Sequence, residues 1–404
     1  MDSATKHLRR RILLEVETAI APGRDMLRGI AKFVGEINRW DVHHNAGHWA
    51  LHGGISGPSR IEPLSTDDHV DGIITRIYDE ATTERALRYI ERGIPVVDIL
   101  GDHEDRSIPL VHTDDLAIAD LALSHLVEQG FNRLAFCGIE NTRWSILRGK
   151  HFQEKARAQG IDVAMIATSK NPQLNGSGDA ERVEEWISSL SLPTGIFVSC
   201  DHIAPLVTEA CARLGITVPE HLAVVGVNDD TVACNVCNPT LSSIDASHFE
   251  IGYRAARLLN LLIEGESMPA TPQNIPPREL IVRDSSGQLA ITDPLIARAS
   301  RFINRNAGSP IGVDEVVASV PLSRRELQRR FRSLTGRTVH ECILNARINI
   351  AKRLLSNPEY TIEMVAELSG FGSRQHFSKT FKTHTGSTPA RFQEESVRLS
   401  PRPS

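Results

Sequence analysis

Two short stretches near the C-terminal end, set fifty residues apart, constrain this chain more than any other feature. The first runs from Ile311 to Gly336 (IGVDEVVASVPLSRRELQRRFRSLTG), the second from Thr361 to Pro389 (TIEMVAELSGFGSRQHFSKTFKTHTGSTP). Each reads as a short apolar helix, a turn, and a second helix that opens at a serine, Ser323 in one and Ser373 in the other. A serine there offers its hydroxyl oxygen to the unpaired N–H groups of the first turn. Glu326, three residues on, predicts a capping box. Leu327 and Phe331, like Phe377 and Phe381, are spaced i, i+4 and define a buried face. That leaves Arg324, Arg325, Gln328 and Arg329 outward in the first unit, and Arg374, Gln375, Ser378 and Lys379 in the second. Arg, Gln and Lys in front of an aromatic anchor suit a helix laid into a major groove. A single such unit also describes an ordinary solvated amphipathic helix; the tandem repeat is the specific part.

Charge divides the chain at the same place. Residues 293–404 carry 18 Lys and Arg against 10 Asp and Glu, a net of +8, while the first 292 carry 27 against 40, a net of −13. An acidic body with a basic end fits an anionic partner held at that end.

Arg347, Ala351, Leu354 and Leu355, followed by Ile362, Ala366, Gly370, Phe371, Phe377, Phe381, Gly386 and Pro389, resemble the AraC-type DNA-binding domain over roughly Asp293 to Gln393. His376 stands where that family usually has tyrosine. The resemblance implies two recognition helices entering successive major-groove faces of a double-stranded operator, about 34 Å apart. The helix expected from Val339 to Leu355, roughly 26 Å long at 1.5 Å per residue, is the spacer.

From Arg11 to about Val282 the chain alternates short apolar runs with amphipathic stretches: RILLEV then DMLRGIAKFVGEIN, DGIIT then TTERALRYIERG, and so on to LAVVGV. Repeated βαβ units predict parallel sheets with helices on both faces. A segment of this size favours two doubly wound lobes with a cleft between them. DGII, VHTDD, RLAFCG, FVSCD, VVGVNDD and PTLSSI fall in the order of the LacI/GalR-type, periplasmic-binding-protein-like effector domain, without that family's N-terminal DNA-binding segment. The expected architecture is therefore a sugar-sensing domain over 1–284, a linker over 285–292 and an all-α AraC-type domain with two helix–turn–helix motifs over 293–404. A family of xylose-responsive regulators joins the two modules in this order. The resemblance implies a homodimer, a monosaccharide effector with D-xylose first, no other cofactor, and RNA polymerase as a further candidate partner.

In open α/β sheets ligands bind beyond the carboxyl ends of strands. Polar residues there are Glu17, Thr18 and Arg24 after the first strand, Arg76 after DGII, Thr113 and Asp114 after PLV, Asp201 after FVSC, and Asn228 and Asp229 after VVGV. Asp114 equally suits a helix N-cap. Arg148, by resemblance, is the arginine that binds effector hydroxyls, with Asp201 and Asn228 as further polar positions; the family usually has Asp at the latter. Trp144 offers a ring for the C–H face of a sugar.

Other signals point to packing or solvent. Cys234 and Cys237 form the one CxxC, without a second pair at zinc-finger spacing, and read as small packing residues in a loop. His43, His44, His48 and His52 invite a metal reading, but Gly47, Gly53 and Gly54 favour a loop with solvated histidines. No GxSxG, Walker A or dinucleotide fingerprint is present, and no catalytic constellation emerges. Arg9, Arg10 and Arg11 precede an apolar run too short and too soon acidic for a secretory segment, and no run reaches the roughly twenty residues of a membrane span. The expectation is a cytoplasmic regulator that acts without catalysis. A sugar-binding protein or a carbohydrate enzyme with an accessory nucleic-acid-binding domain is the alternative.

Overall fold

The computed structural model describes residues 9–45, 69–105, 107–169, 178–267, 271–287, 293–355 and 357–399. The chain begins with β1 (Arg10–Glu15), α1 (Ala21–Ile37), β2 (Trp40–Asn45), β3 (Gly72–Thr75), α2 (Glu80–Glu91), β4 (Val96–Asp98) and β5 (Val111–Thr113). It then crosses to a second lobe of α3 (Asp115–Glu128), β6 (Leu134–Ile139), α4 (Arg143–Ala158), β7 (Val163–Thr168), α5 (Gly178–Ser189) and β8 (Thr194–Val198). That lobe continues through α6 (Ala204–Arg213), β9 (Leu222–Val227), α7 (Thr231–Val236) and β10 (Ser242–Asp245). The chain returns to the first lobe as α8 (His248–Ile263) and β11 (Gln273–Ile275), and crosses once more to β12 (Glu279–Ile281).

The first sheet has the order β2-β1-β3-β4, the second β12-β10-β9-β8-β6-β7, and β11 pairs with β5. All pairings are parallel except β10 with β12. Parallel strands covered on both faces need continuous apolar runs, and β6 and β9 are buried along their whole length. The three crossings, near Thr113, Asp245 and Ile275, all lie between the lobes.

In the first lobe Ile12, Leu14, Ile74 and Val97 pack under Met26 and Ile30 of α1 and Ile251 and Leu259 of α8. The two helices meet backbone to backbone. A β-carbon on Gly252 would lie 1.9 Å from the Met26 carbonyl oxygen, and one on Gly29 2.0 Å from that of Phe249.

Several expectations change. His43 and His44 belong to β2 rather than a loop: His44 Nε2 lies 2.8 Å from the Val16 carbonyl oxygen and His43 3.6 Å from Asp41. His48 and His52 lie outside the described residues, and among the described residues no group of three or more metal-type ligands occurs. Cys234 and Cys237 span the end of α7 rather than a loop; Cys234 is fully buried, and both are free thiols. The body also runs past Asp284. Ser285 and Ser286 are fully buried; Ser285 Oγ donates to Val224 O at 2.6 Å, and Ser286 Oγ lies 2.8 Å from His125 Nε2.

The C-terminal part is all helical: α9 (Pro294–Asn306), α10 (Val313–Ala318), α11 (Arg324–Thr335), α12 (Val339–Leu355), α13 (Ile362–Leu368), α14 (Arg374–Thr385) and α15 (Pro389–Leu399). It has two cores. Val316, Leu327 and Phe331 pack with Ile303 and Val339; Val365, Phe377 and Phe381 pack with Ala351 and Leu355. Helix α12 supplies residues to both, as a spacer must. The repeat extends to the helix ends: Thr335 and Thr385 donate to the carbonyls of Phe331 and Phe381, and Gly336 and Gly386 close α11 and α14 in the left-handed region.

Gly252→Ala tests the helix crossing. Overpacking of this kind costs about 1–3 kcal/mol, so the substitution is expected to lower the unfolding midpoint of the two-lobed body in calorimetry. A midpoint equal to that of the parent chain would show that α1 and α8 separate without cost.

Candidate ligand site and nucleic-acid interface

The lobes enclose a cavity of about 240 Å³ at the crossings. Helix α1 contributes Pro22 and Met26, and Ile99, Leu100 and Ile139 complete an apolar wall. Arg76, Thr113, Trp144, Arg148 and Asn228, the expected residues that the fold brings together, also line it. Trp144 and Arg148 are one turn apart on α4, and the guanidinium lies 4.7 Å from the indole centroid. Arg148 is 3% exposed; Nε donates to Asp115 Oδ1 at 2.8 Å, Nη1 to Ser199 O at 2.7 Å and Nη2 to Thr113 Oγ1 at 3.2 Å. These bonds use three of the five guanidinium N–H donors. Burial works to raise the Asp115 carboxyl, but Arg148 and His112 outweigh it and hold the group at about 2. Arg76 forms an ion pair with Glu17, and burial pulls it down to about 10 against the pull of Asp98 and Asp102.

The other expected residues lie outside the cavity wall. Glu17 sits behind Arg76, 6% exposed. Thr18 is exposed, its carbonyl accepts from Arg24 Nη1 at 2.8 Å, and neither residue lines the cavity. Asp114 is the N-cap of α3, accepting from Ala117 N. Asp229 pairs with Arg283 at 2.6 Å. Asp201 lies beneath the floor, where Oδ1 accepts from Ser243 Oγ at 2.6 Å and Oδ2 from Asp230 N at 3.0 Å. Asp114 and Asp201 stand at the predicted strand ends, but their carboxylates turn back to cap or brace the backbone.

Sequence reasoning missed His112, His202 and His248, along with Tyr78 and Asp102. His248 follows a strand too, but three residues beyond its end, where the strand-end rule did not reach. Contacts between the lobes include Asp102, which accepts from Arg143 N at 2.5 Å, and Asp230, which accepts from Ala21 N at 3.4 Å. Cys200 and His202 lie 3.2 Å apart, but burial pushes the thiol up to about 12 and the imidazole down to about 4. Both are neutral near pH 7, so this pair lacks the thiolate of an activated nucleophile.

In the C-terminal part Ser323 and Ser373 cap α11 and α14 by accepting from Glu326 N and His376 N, each at 3.2 Å. The capping box at Glu326 is only half made, because its carboxylate binds Arg329 and Arg330 instead. Arg324 pairs with Asp314 and Arg374 with Glu363, bracing each unit alike; exposed pairs of this kind are worth about 0–1 kcal/mol and exchange readily. Arg325, Gln328, Gln375 and Lys379 are exposed, and Ser378 is half-buried. Arg347 donates to the carbonyls of Ala307, Ser309 and Ile311, and Gly370 is held at φ +80° where a β-carbon would strike Ala307 O. His376 packs edge-on against Phe371, its ring centroid 5.5 Å away.

A periplasmic binding protein-like domain matches residues 123–286, and a helix-turn-helix domain matches 316–395. With the cavity and the two capped helices, they define a DNA-binding transcription regulator with a ligand-sensing α/β body. The chain belongs to the family of xylose operon regulatory proteins. It is 32% identical over 331 residues to the member from Haemophilus influenzae, covering 80% of this chain and 85% of that one. It is 29% identical over 394 residues to the Escherichia coli K12 member, covering 96% and 97%. A solved xylose-binding transcription activator, xylR, matches with a TM-score of 0.67 at 26% identity over 96% of this chain and 98% of its own. A LacI family regulator from Enterococcus faecium with bound ribose shares the fold of the body, with a TM-score of 0.55 at 20% identity, over 70% of this chain and all of its own.

Asp201 sets a pH dependence. Burial raises its carboxyl to about 7. Between its unfolded value near 4 and that figure, the folded chain holds a proton that the unfolded chain releases. Stability from this group is therefore complete below about pH 4 and lost as pH rises through 7. Asp201→Asn is expected to melt closer to, or above, the parent chain at pH 8 than at pH 5. A difference in midpoint that does not change with pH would show Asp201 to be ionised throughout.

Proposed function

We propose that the cavity binds a neutral monosaccharide, D-xylose first, and that occupancy biases the arrangement of two helix–turn–helix domains on operator DNA. The observation that carries this is the balance of the wall. Arg76 and Arg148 are offset by Glu17 and Asp115 directly behind them and by Asp102 beside them, so a net charge on the ligand has no partner. The cavity is small against the roughly 300 Å³ or more of drug-sized sites. Trp144 suits the C–H face of a pyranose, while Arg76, Thr113, Arg148 and Asn228 suit its hydroxyls. The names of the family and of the solved xylose-binding activator support xylose. Glu17, Asp114, Asp201 and Asp229 act from behind as supports, and Thr18 and Arg24 lie off the cavity wall.

The reading is of a binder, not a catalyst, acting in the cytoplasm as a homodimer, with RNA polymerase as the downstream contact. We assign the sensor to the residues up to Ser286, which is still buried in the body, and the DNA-binding domain to 293–404. The sugar can act only through a difference in affinity between two arrangements. Arg283, near the end of the body, holds Asp229 beside Asn228, and Arg301 of α9 lies 3.3 Å from the buried Glu220 at the far end of β9. These contacts offer a short route from cavity to α9. Ser323, Arg324, Arg325, Gln328 and Arg329, with Ser373, Arg374, Gln375, Ser378 and Lys379, form the DNA face.

A thermal-shift series with pentoses and hexoses tests the effector. A sugar bound only by the folded chain raises the midpoint by mass action, and xylose is expected to raise it most; no response to any monosaccharide would overturn the reading. Arg325→Ala and Gln375→Ala are each expected to cost about 1–3 kcal/mol on operator DNA and less on random DNA. Equal losses in fluorescence anisotropy on both would reduce these residues to phosphate contacts.

A further inference from the structure

His248 is the first residue of α8, placed at the crossing where the chain leaves β10 for the first lobe. It lines the cavity and is 7% exposed. Burial, reinforced by Arg76 and Arg148, pushes its pKa well below the usual value, so the ring is neutral near pH 7. A neutral imidazole has one N–H donor and one acceptor nitrogen. Nε2 donates to Asn228 Oδ1 at 3.0 Å, which leaves Nδ1 as the acceptor. Nδ1 is buried and has no hydrogen-bond partner. Arg76 also lines this cavity; its buried Nε has no hydrogen-bond partner and its Nη1 meets only Glu17. An unmet acceptor and an unmet donor thus belong to residues that line the same cavity. Each is destabilising while unmet, and one hydroxyl group, which both donates and accepts, satisfies the pair.

We propose that His248 is a specificity-determining residue of the sugar site, its Nδ1 accepting a hydrogen bond from one sugar hydroxyl whose oxygen accepts from Arg76. The assignment rests on the monosaccharide reading above and adds to it a reading group in place of the carboxylate expected at Asp201. It requires the ligand to bear a hydroxyl at that point, and it selects against analogues that carry hydrogen or a methyl ether there. Asn228 then serves a second purpose. At φ 112° its backbone is held in a region few side chains adopt, and its Oδ1 fixes which ring nitrogen of His248 keeps the proton.

The test separates the two nitrogens in the full-length chain by calorimetric titration with D-xylose and its monodeoxy analogues. His248→Asn keeps an acceptor near the Nδ1 position and drops the Nε2 contact; His248→Gln does the reverse. The parent chain is expected to bind xylose and to lose at least tenfold on one deoxy analogue. His248→Gln is expected to bind xylose at least tenfold more weakly and to treat that analogue and xylose alike, while His248→Asn keeps most of the discrimination. Melting curves of each variant show whether it is folded, and Arg76→Lys provides a second probe of the same hydroxyl if a His248 variant is not. A parent chain that binds no monosaccharide defeats the effector reading itself. A parent chain that binds xylose, with His248→Gln equal to it in affinity and discrimination, overturns the role of His248 alone. A loss in His248→Asn as large as in His248→Gln would make the residue a support for Asn228 and likewise overturn it.

Discussion

The buried guanidinium of Arg148 is the interaction on which the sensing body depends. It joins α4 to Thr113 and Asp115 at the first crossing and to Ser199 just beyond β8, all in the interior. An ion pair this deep gives up much solvation, so its net worth is small unless every partner is met. Here Thr113 Oγ1 also donates to Asp115, and the carboxylate stays charged. What the network secures is geometry. The arginine that faces the cavity is held by the segment that links the lobes, so a ligand touching it touches the hinge as well.

The hinge carries more of the same kind. His248 and Asn228 meet across the second crossing, and Asp102 and Asp230 reach over to the opposite lobe. Each is a polar contact between the two lobes. A core of Ile, Val and Phe could not supply them, because apolar packing fixes distance without direction. The glycines at the α1–α8 crossing do the opposite work, letting the wall that carries Met26 lie against the helix that begins with His248.

The DNA-binding half solves a different problem by repetition. A serine cap, a pair of buried side chains one turn apart, a threonine bonded back to its own helix and a left-handed glycine recur at the same spacing. Arg347 and Gly370 then lock the first unit onto the second, the guanidinium holding three carbonyls of the α9–α10 turn. The basic face stays outward in both, its arginines partly occupied by local carboxylates that phosphate can displace.

Local chemistry was enough for much of this. Helix starts at Ser323 and Ser373, the parallel strands of β6 and β9 and the split in charge follow from caps, apolar runs and composition, because those properties act between residues close in sequence; the role of α12 came with the family resemblance. The strand-end rule likewise placed Arg76, Thr113 and Asn228 near one cleft, and the family resemblance added Arg148. It could not say which way a carboxylate turns. Asp201 and Asp114 lie where a ligand residue was expected, but Ser243 and Asp230 N claim the first and Ala117 N the second. Nor could it find His248 or Asp102, whose place on the wall depends on three crossings that bring both lobes together. Position along a strand is a local matter; the direction of a buried polar side chain is decided by whichever partners the tertiary structure brings within hydrogen-bond reach.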